Sequence, residues 1–241
     1  MRTGTREILK SRVKEGLYAA LPLSVTGGIL RLAMPGGSPM LPEIVAREAI
    51  FIHVPKAAGT SVKTELYGRP LGGRRRIAEF MAYAPERTRA FAKLCFVRNP
   101  WDRLLSAHAY LTQGKGASGR DRRFAAQILA PKGDFEGFVT AIGADRAFRH
   151  AVMSYDHFRP QWWWTCLPGA ETHAMDFVGR FETFEADMAR LRATLGLPEK
   201  AASERSRASG HAPYREAYDT RMRDIVAGLY ARDAALFDYT F

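Results

Sequence analysis

Two short runs of almost uninterrupted apolar residues constrain this chain more than any other feature: Ala49-Ile50-Phe51-Ile52-His53-Val54 and Leu94-Cys95-Phe96-Val97. Neither alternates apolar with polar residues, so neither suits a strand with one face in water. Each reads as a strand covered on both faces. Between them lie a polar loop, a helical stretch over 60–66, a basic linker over 69–76 and a second helical stretch. Strand, helix, strand in that order implies a right-handed crossover between parallel strands. The expected fold class is α/β, a three-layer sandwich with a central parallel sheet.

Local signals extend this frame. Asn99 is placed to cap a helix, Pro100 fits its first position, Asp102 sits near its positive end, and Gly114 and Gly116 stop it. A third short strand is expected over 176–182. A helix over 184–195 should end at Gly196 with Pro198 beyond. A Ser/Arg/Gly stretch over 203–210 reads as a surface loop. One long final helix is expected over 214–237, with Tyr218, Met222, Val226 and Leu229 at helical spacing. Residues 1–48 read as an N-terminal arm ending in a Pro/Gly linker, and 49–241 as one domain.

Charge narrows the partner. Across 241 residues, 36 Lys and Arg against 25 Asp and Glu leave a net +11, which favours an anionic ligand. The chain shows no recognisable nucleic-acid-reading module, so nucleic acid is not the expected partner. The two cysteines, Cys95 and Cys166, lie in apolar or aromatic runs and read as buried free thiols in a reducing compartment. Between Glu15 and Arg31 runs an uncharged stretch broken by Pro22, Gly27 and Gly28. It is shorter than the roughly 20 residues a membrane-spanning helix needs. A transmembrane segment is not expected, and the expected location is cytoplasmic. The basic lead-in (Arg2, Arg6, Lys10, Arg12, Lys14) suits peripheral contact of residues 1–34 with an anionic membrane surface. Nothing in the sequence reads out the oligomeric state.

The loop after the first run has the composition of a phosphate cradle: His53-Val54-Pro55-Lys56-Ala57-Ala58-Gly59-Thr60-Ser61. A strand delivers it to the carboxyl edge of a parallel sheet, where such folds bind ligands. Small residues let backbone N–H groups approach an anion, and the following helix adds its positive end. A plain strand-turn-helix connection is the alternative reading. The loop departs from a Walker A sequence: the leading glycine is missing, and Lys56 precedes Gly59. The second run ends in Arg98, where a metal-dependent nucleotide hydrolase wants a carboxylate. Neutralisation by side chains without a metal is the expectation.

Taken together, the loop 53–61 and the run Cys95-Phe96-Val97-Arg98-Asn99-Pro100-Trp101-Asp102-Arg103-Leu104-Leu105-Ser106-Ala107 resemble two motifs of the sulfotransferases. The first resembles their 5′-phosphosulfate loop, in the form found in carbohydrate sulfotransferases and bacterial relatives; the second resembles their 3′-phosphate motif. Weaker similarity at 178–187 and 230–241 extends the resemblance over about 49–241. It implies transfer of a sulfuryl group from 3′-phosphoadenylyl sulfate (PAPS) to a hydroxyl or amine of an acceptor, leaving PAP. The acceptor class it favours is a carbohydrate or glycolipid.

On that resemblance, Lys56 stabilises the leaving group and Ala57, Ala58, Gly59, Thr60 and Ser61 hold the 5′-phosphosulfate. Arg98 and Ser106 hold the 3′-phosphate. The general base is open between His53 and Glu79, because the segment between the motifs, 72–93, contains no histidine. Asp156 and His157 are further choices. The stretch from His157 to Gln161 resembles one near the acceptor, and Trp162, beside Trp163 and Trp164, could stack on a sugar. The basic linker and the loop carrying Arg120, Arg122 and Arg123 would suit an acidic acceptor or glycan. The competing readings are a P-loop nucleotide-dependent kinase and a homologue that binds donor without turnover.

Overall fold

The structure, a computed structural model, describes residues 38–114, 116–198 and 213–241. The expected surface loop at 203–210, and most of the segment assigned to an arm, lie outside them. In chain order the first elements are α1 (Pro42–Arg47), β1 (Ala49–Ile52), α2 (Gly59–Tyr67), α3 (Ile77–Tyr83), α4 (Pro85–Ala90) and β2 (Ala92–Val97). Next come α5 (Pro100–Gln113), α6 (Gly119–Phe124), α7 (Phe135–Ala144), α8 (Arg146–Met153) and α9 (Gln161–Thr165). β3 (Phe177–Arg180), α10 (Phe184–Leu195), α11 (Thr220–Leu229) and α12 (Ala231–Phe237) complete the set. The fold is α/β with a parallel sheet in the order β1-β2-β3, in which Ile52 faces Cys95 and Val97 faces Arg180. No helix among the described residues is long and apolar enough to cross a membrane.

The chain divides into two compact units. One comprises residues 38–97 and 161–198 and holds the sheet. All four residues of β1 are buried, as are Leu94–Val97 of β2, which matches the unbroken apolar runs and requires cover on both faces. β3 alternates buried and half-buried residues, as an edge strand does. Gly179 is needed there: a Cβ would lie 2.5 Å from the Phe96 ring, which packs against Phe177 and Phe184. The free edge of β1 is closed by one hydroxyl. Tyr67 Oη accepts from Phe51 N at 2.9 Å and donates to Ala49 O at 2.8 Å, satisfying backbone groups that would otherwise invite another strand. Asp176 holds the start of β3 through Lys93 N and Nζ. Asp187 accepts from Arg180 N and Thr183 Oγ1, which joins β3 to α10.

The other unit comprises residues 98–160 and 213–241 and is all helical. Its core gathers Leu104, Leu111, Phe138, Ile142, Phe158 and Val226. Asn99 caps α5 by accepting from Trp101 N, with Pro100 in the first turn, and Gly114 ends the helix at φ 69°. Arg103, fully buried, donates to the carbonyls of His157 and Arg159 and faces Asp233 at 4.0 Å. The expected final helix is interrupted. Residues 214–217 form a 3-10 turn, Asp219 caps α11 by accepting from Met222 N, and Tyr230, at φ −116°, separates α11 from α12. The Tyr230 hydroxyl donates to Phe158 O at 2.6 Å inside the core.

Candidate functional site

In the unit holding the sheet, β1 ends at Ile52 and passes the chain directly into the turn that precedes α2. Lys56 has φ 70° and Ala58 φ 59°, two left-handed residues on either side of Ala57. A non-glycine residue in that region costs about 1–2 kcal/mol, so the surrounding fold has to impose it. Alternation of this kind turns successive backbone N–H groups toward one concavity, the geometry of an anion nest. Ala58 also occupies the capping position of α2 without a side-chain bond, so the helix end is left to other partners. Thr60 and Ser61 are exposed on the first turn, Lys56 is half-buried, and Ala57 and Gly59 are buried.

His53 lies against this turn. A Cβ on Gly59 would sit 2.4 Å from His53 Cδ2, so the imidazole occupies the space that any side chain at 59 would need. The glycine is therefore required by the histidine. On its other side the ring tilts toward Phe51, with centroids 6.4 Å apart. Glu79, the other sequence candidate for a base, is in the same unit but engaged. Its Oε2 accepts from Arg76 N at 2.9 Å to cap α3, its Oε1 lies 3.5 Å from Arg75, and the residue is 2% exposed. Gln161 opens α9 and is fully buried. Trp164 is buried, while Trp162 and Trp163 are half-buried, the latter under the Arg76 guanidinium at 4.5 Å.

Lys63 belongs to neither sequence motif. It is buried on α2 beside Val62 and Leu66, and its Nζ donates to Leu71 O at 2.8 Å and Gly73 O at 2.9 Å. Burial, with the Arg74 charge, lowers its pKa to about 8. The available signal in the chain is spacing: Lys63 and Tyr67 are four apart, next to the apolar stripe of Val62 and Leu66.

In the helical unit, Arg98 directly follows β2 in the chain and is 4% exposed. Its Nε and Nη2 donate to the two Asp102 oxygens at 2.8 and 2.9 Å, a bidentate pair that fixes one edge of the guanidinium. Ser106 is half-buried, at the same helical spacing beyond Asp102 as Asp102 is beyond Arg98. Asp102 and Ser106 therefore share one face of α5, and Arg98, which precedes the helix, reaches that face through Asp102. His108 is packed between Phe135 and Phe138, at 5.3 and 4.8 Å between centroids. Burial lowers its pKa to about 4, although the Asp134 charge opposes the shift.

His157 is 3% exposed, its ring beside Tyr110, and its Nε2 lies 3.4 Å from Asp121 Oδ1. Asp121 also accepts from Tyr155 Oη at 2.6 Å and Ser118 Oγ at 2.8 Å. Burial pushes its carboxyl up, but the bonds from His157, Tyr155 and Ser118 together hold it well below the carboxylate range. Apart from His157, no member of this cluster stands out in the sequence. Asp156 reaches Arg120 at 3.4 Å.

The structure thus brings His53 and residues 56–61 together in one unit, with Glu79, Gln161 and Trp162 elsewhere in that unit. Arg98, Ser106 and His157 belong to the other. Among the described residues no group of His, Cys, Asp and Glu could hold a metal ion. No curated protein and no solved structure matches the chain. The model of the sulfotransferase family matches residues 74–240, a span that includes Arg98 and Ser106 and begins after the loop 53–61. Because the match covers more than half of the 241 residues, the chain belongs to the sulfotransferase family.

Proposed function

We propose that the protein transfers a sulfuryl group from PAPS to an acceptor hydroxyl or amine, without a metal, and that the acceptor is a carbohydrate or glycolipid. The observation that carries this reading is the turn after β1. Two left-handed non-glycine residues, Lys56 and Ala58, shape it at an uncapped helix N-terminus, in a chain of sulfotransferase family membership. An anionic group is what such a turn suits, and the lysine in it supplies the counter-charge.

The donor supplies an activated sulfuryl group bonded to a phosphate oxygen. The backbone N–H groups around Gly59, with the Thr60 and Ser61 hydroxyls, hold the 5′-phosphosulfate. The Lys56 ammonium meets the negative charge that grows on the bridging oxygen as the S–O bond breaks. Arg98, oriented by Asp102, and Ser106 bind the 3′-phosphate. The acceptor oxygen attacks sulfur in line with the leaving oxygen and gives its proton to a base. His53 suits that role better than Glu79, because Glu79 is buried and spent on the cap of α3, whereas His53 is half-buried against the cradle.

Calorimetric titration with PAP, AMP and Mg·ATP tests the donor assignment. The expected result is metal-independent binding of PAP that exceeds AMP, with Arg98→Ala weakening PAP by about 2 kcal/mol and leaving AMP nearly unchanged. Equal binding of PAP and AMP, or tighter binding of Mg·ATP, overturns it and favours a kinase. Turnover assays on His53→Ala and Glu79→Gln then separate the two base candidates.

A further inference from the structure

Residues 38–97 enclose a cleft of about 230 Å³. Its walls include Phe51 and His53 from the β1 segment, Lys63 from α2, Leu71, Arg75, and Phe80 from α3. Three of these six side chains are cationic or can become so, and among the described residues no carboxylate lines the cleft. Lys63 is 6% exposed. An ammonium has three N–H donors. Two of Lys63's go to the carbonyls of Leu71 and Gly73, and among the described residues no acidic side chain lies within ion-pair distance. A buried cation without a counter-ion is costly to maintain, and a Leu or Met would pack there without that cost. The ammonium becomes favourable when an anion enters the cleft and takes the third donor.

Size and lining restrict the occupant. The volume falls below the roughly 300–1,000 Å³ usual for ligand pockets, so the cleft suits a ring-sized body. Phe51, Leu71 and Phe80 offer apolar surface for that body, while Lys63 and Arg75, the latter also 3.5 Å from Glu79, offer charge for its substituent.

We propose that this cleft binds a small organic anion, a carboxylate or sulfate ester on a single ring, with the anionic group at Lys63 and Arg75 and the ring against Phe51, Leu71 and Phe80. His53 lines the cleft and also packs on Gly59, so the cleft adjoins the loop 53–61. That the bound anion is the sulfuryl acceptor rests on the proposed transfer reaction and would replace the carbohydrate or glycolipid acceptor named there by a small anionic ring; that it binds does not.

The test is calorimetric titration of the full chain with 4-hydroxybenzoate, 4-hydroxyphenyl sulfate and the neutral 4-hydroxybenzamide, with PAP titrated on the same samples. At least one anion is expected to bind tenfold or more tightly than the amide, and the tighter of the two identifies the group the cleft takes. Lys63→Met should weaken that anion by about tenfold to a hundredfold. Arg75→Gln leaves the turn at 71–73 its lysine bonds, and should weaken it about fivefold to tenfold. Thermal unfolding of both variants checks that they fold. If neither anion binds wild type better than the amide, the cleft assignment falls, and PAP binding in that sample leaves the donor reading standing. Anion binding without PAP binding keeps the cleft and removes the donor reading.

Discussion

Gly59 and His53 are one structural decision. With the Cβ of an alanine at 59 lying 2.4 Å from the imidazole, Gly59→Ala must displace either the ring or the turn. The expected cost is about 1–3 kcal/mol of stability together with loss of PAP affinity, read by thermal unfolding and calorimetry. Removing the ring as well, in Gly59→Ala/His53→Ala, should return most of the stability, since two side chains competing for one space are not additive. Lys56 is expected to act on rate. Lys56→Ala should lower kcat by about 10²–10³-fold with a smaller change in donor affinity, measured as sulfate transfer to a screened acceptor. The sequence displays His53, Lys56 and Gly59 as a motif. It does not display why a glycine is needed, because that depends on where a histidine six residues earlier turns its ring.

Elements are legible in the sequence to the extent that their signals are local. The helix 184–195 and the start of α5 follow from caps, proline and glycine within a few residues of each end. The final helix does not follow. Its periodicity is continuous, but Tyr230 departs from helical φ, and its hydroxyl bonds the Phe158 carbonyl, a partner far away in sequence. Tyr230→Phe removes that bond and leaves a buried carbonyl short of a donor, so a loss of about 1–2 kcal/mol is expected in denaturant unfolding. At the other end of the unit, Asn99 both caps α5 and donates to Thr240 O at 2.8 Å. Asn99→Ala should cost about 1–2 kcal/mol for the cap, more than an exposed cap would. The helix α1 stands in a stretch that reads as linker. Pro42 at its first turn is the signal, outweighed by the neighbouring Pro and Gly residues.

For the molecule as a whole, pH and salt report on different groups. His108 is neutral when folded: its pKa is lowered to about 4 from 6.5, so below 6.5 the unfolded chain takes up a proton that the folded chain refuses. Stability therefore falls as pH drops from 6.5 to 4, by at most about 3 kcal/mol from this group. His108→Phe should flatten that part of the profile, measured by urea unfolding at several pH values. The net charge of +11 predicts that PAP association slows as ionic strength rises, a stopped-flow measurement.

The buried strands, most helix limits and the turn after β1 are written in the chain, because each rests on neighbouring residues. Which polar groups are consumed inside the fold is a matter of tertiary packing alone. Glu79 is spent on a helix cap, His157 on Asp121, and two of the three Lys63 donors on carbonyls at the wall of a cleft. Sequence places a charged side chain on a helix. Whether that side chain meets water, a partner or the wall of a cavity depends on which segment packs over it, and that segment comes from elsewhere in the chain.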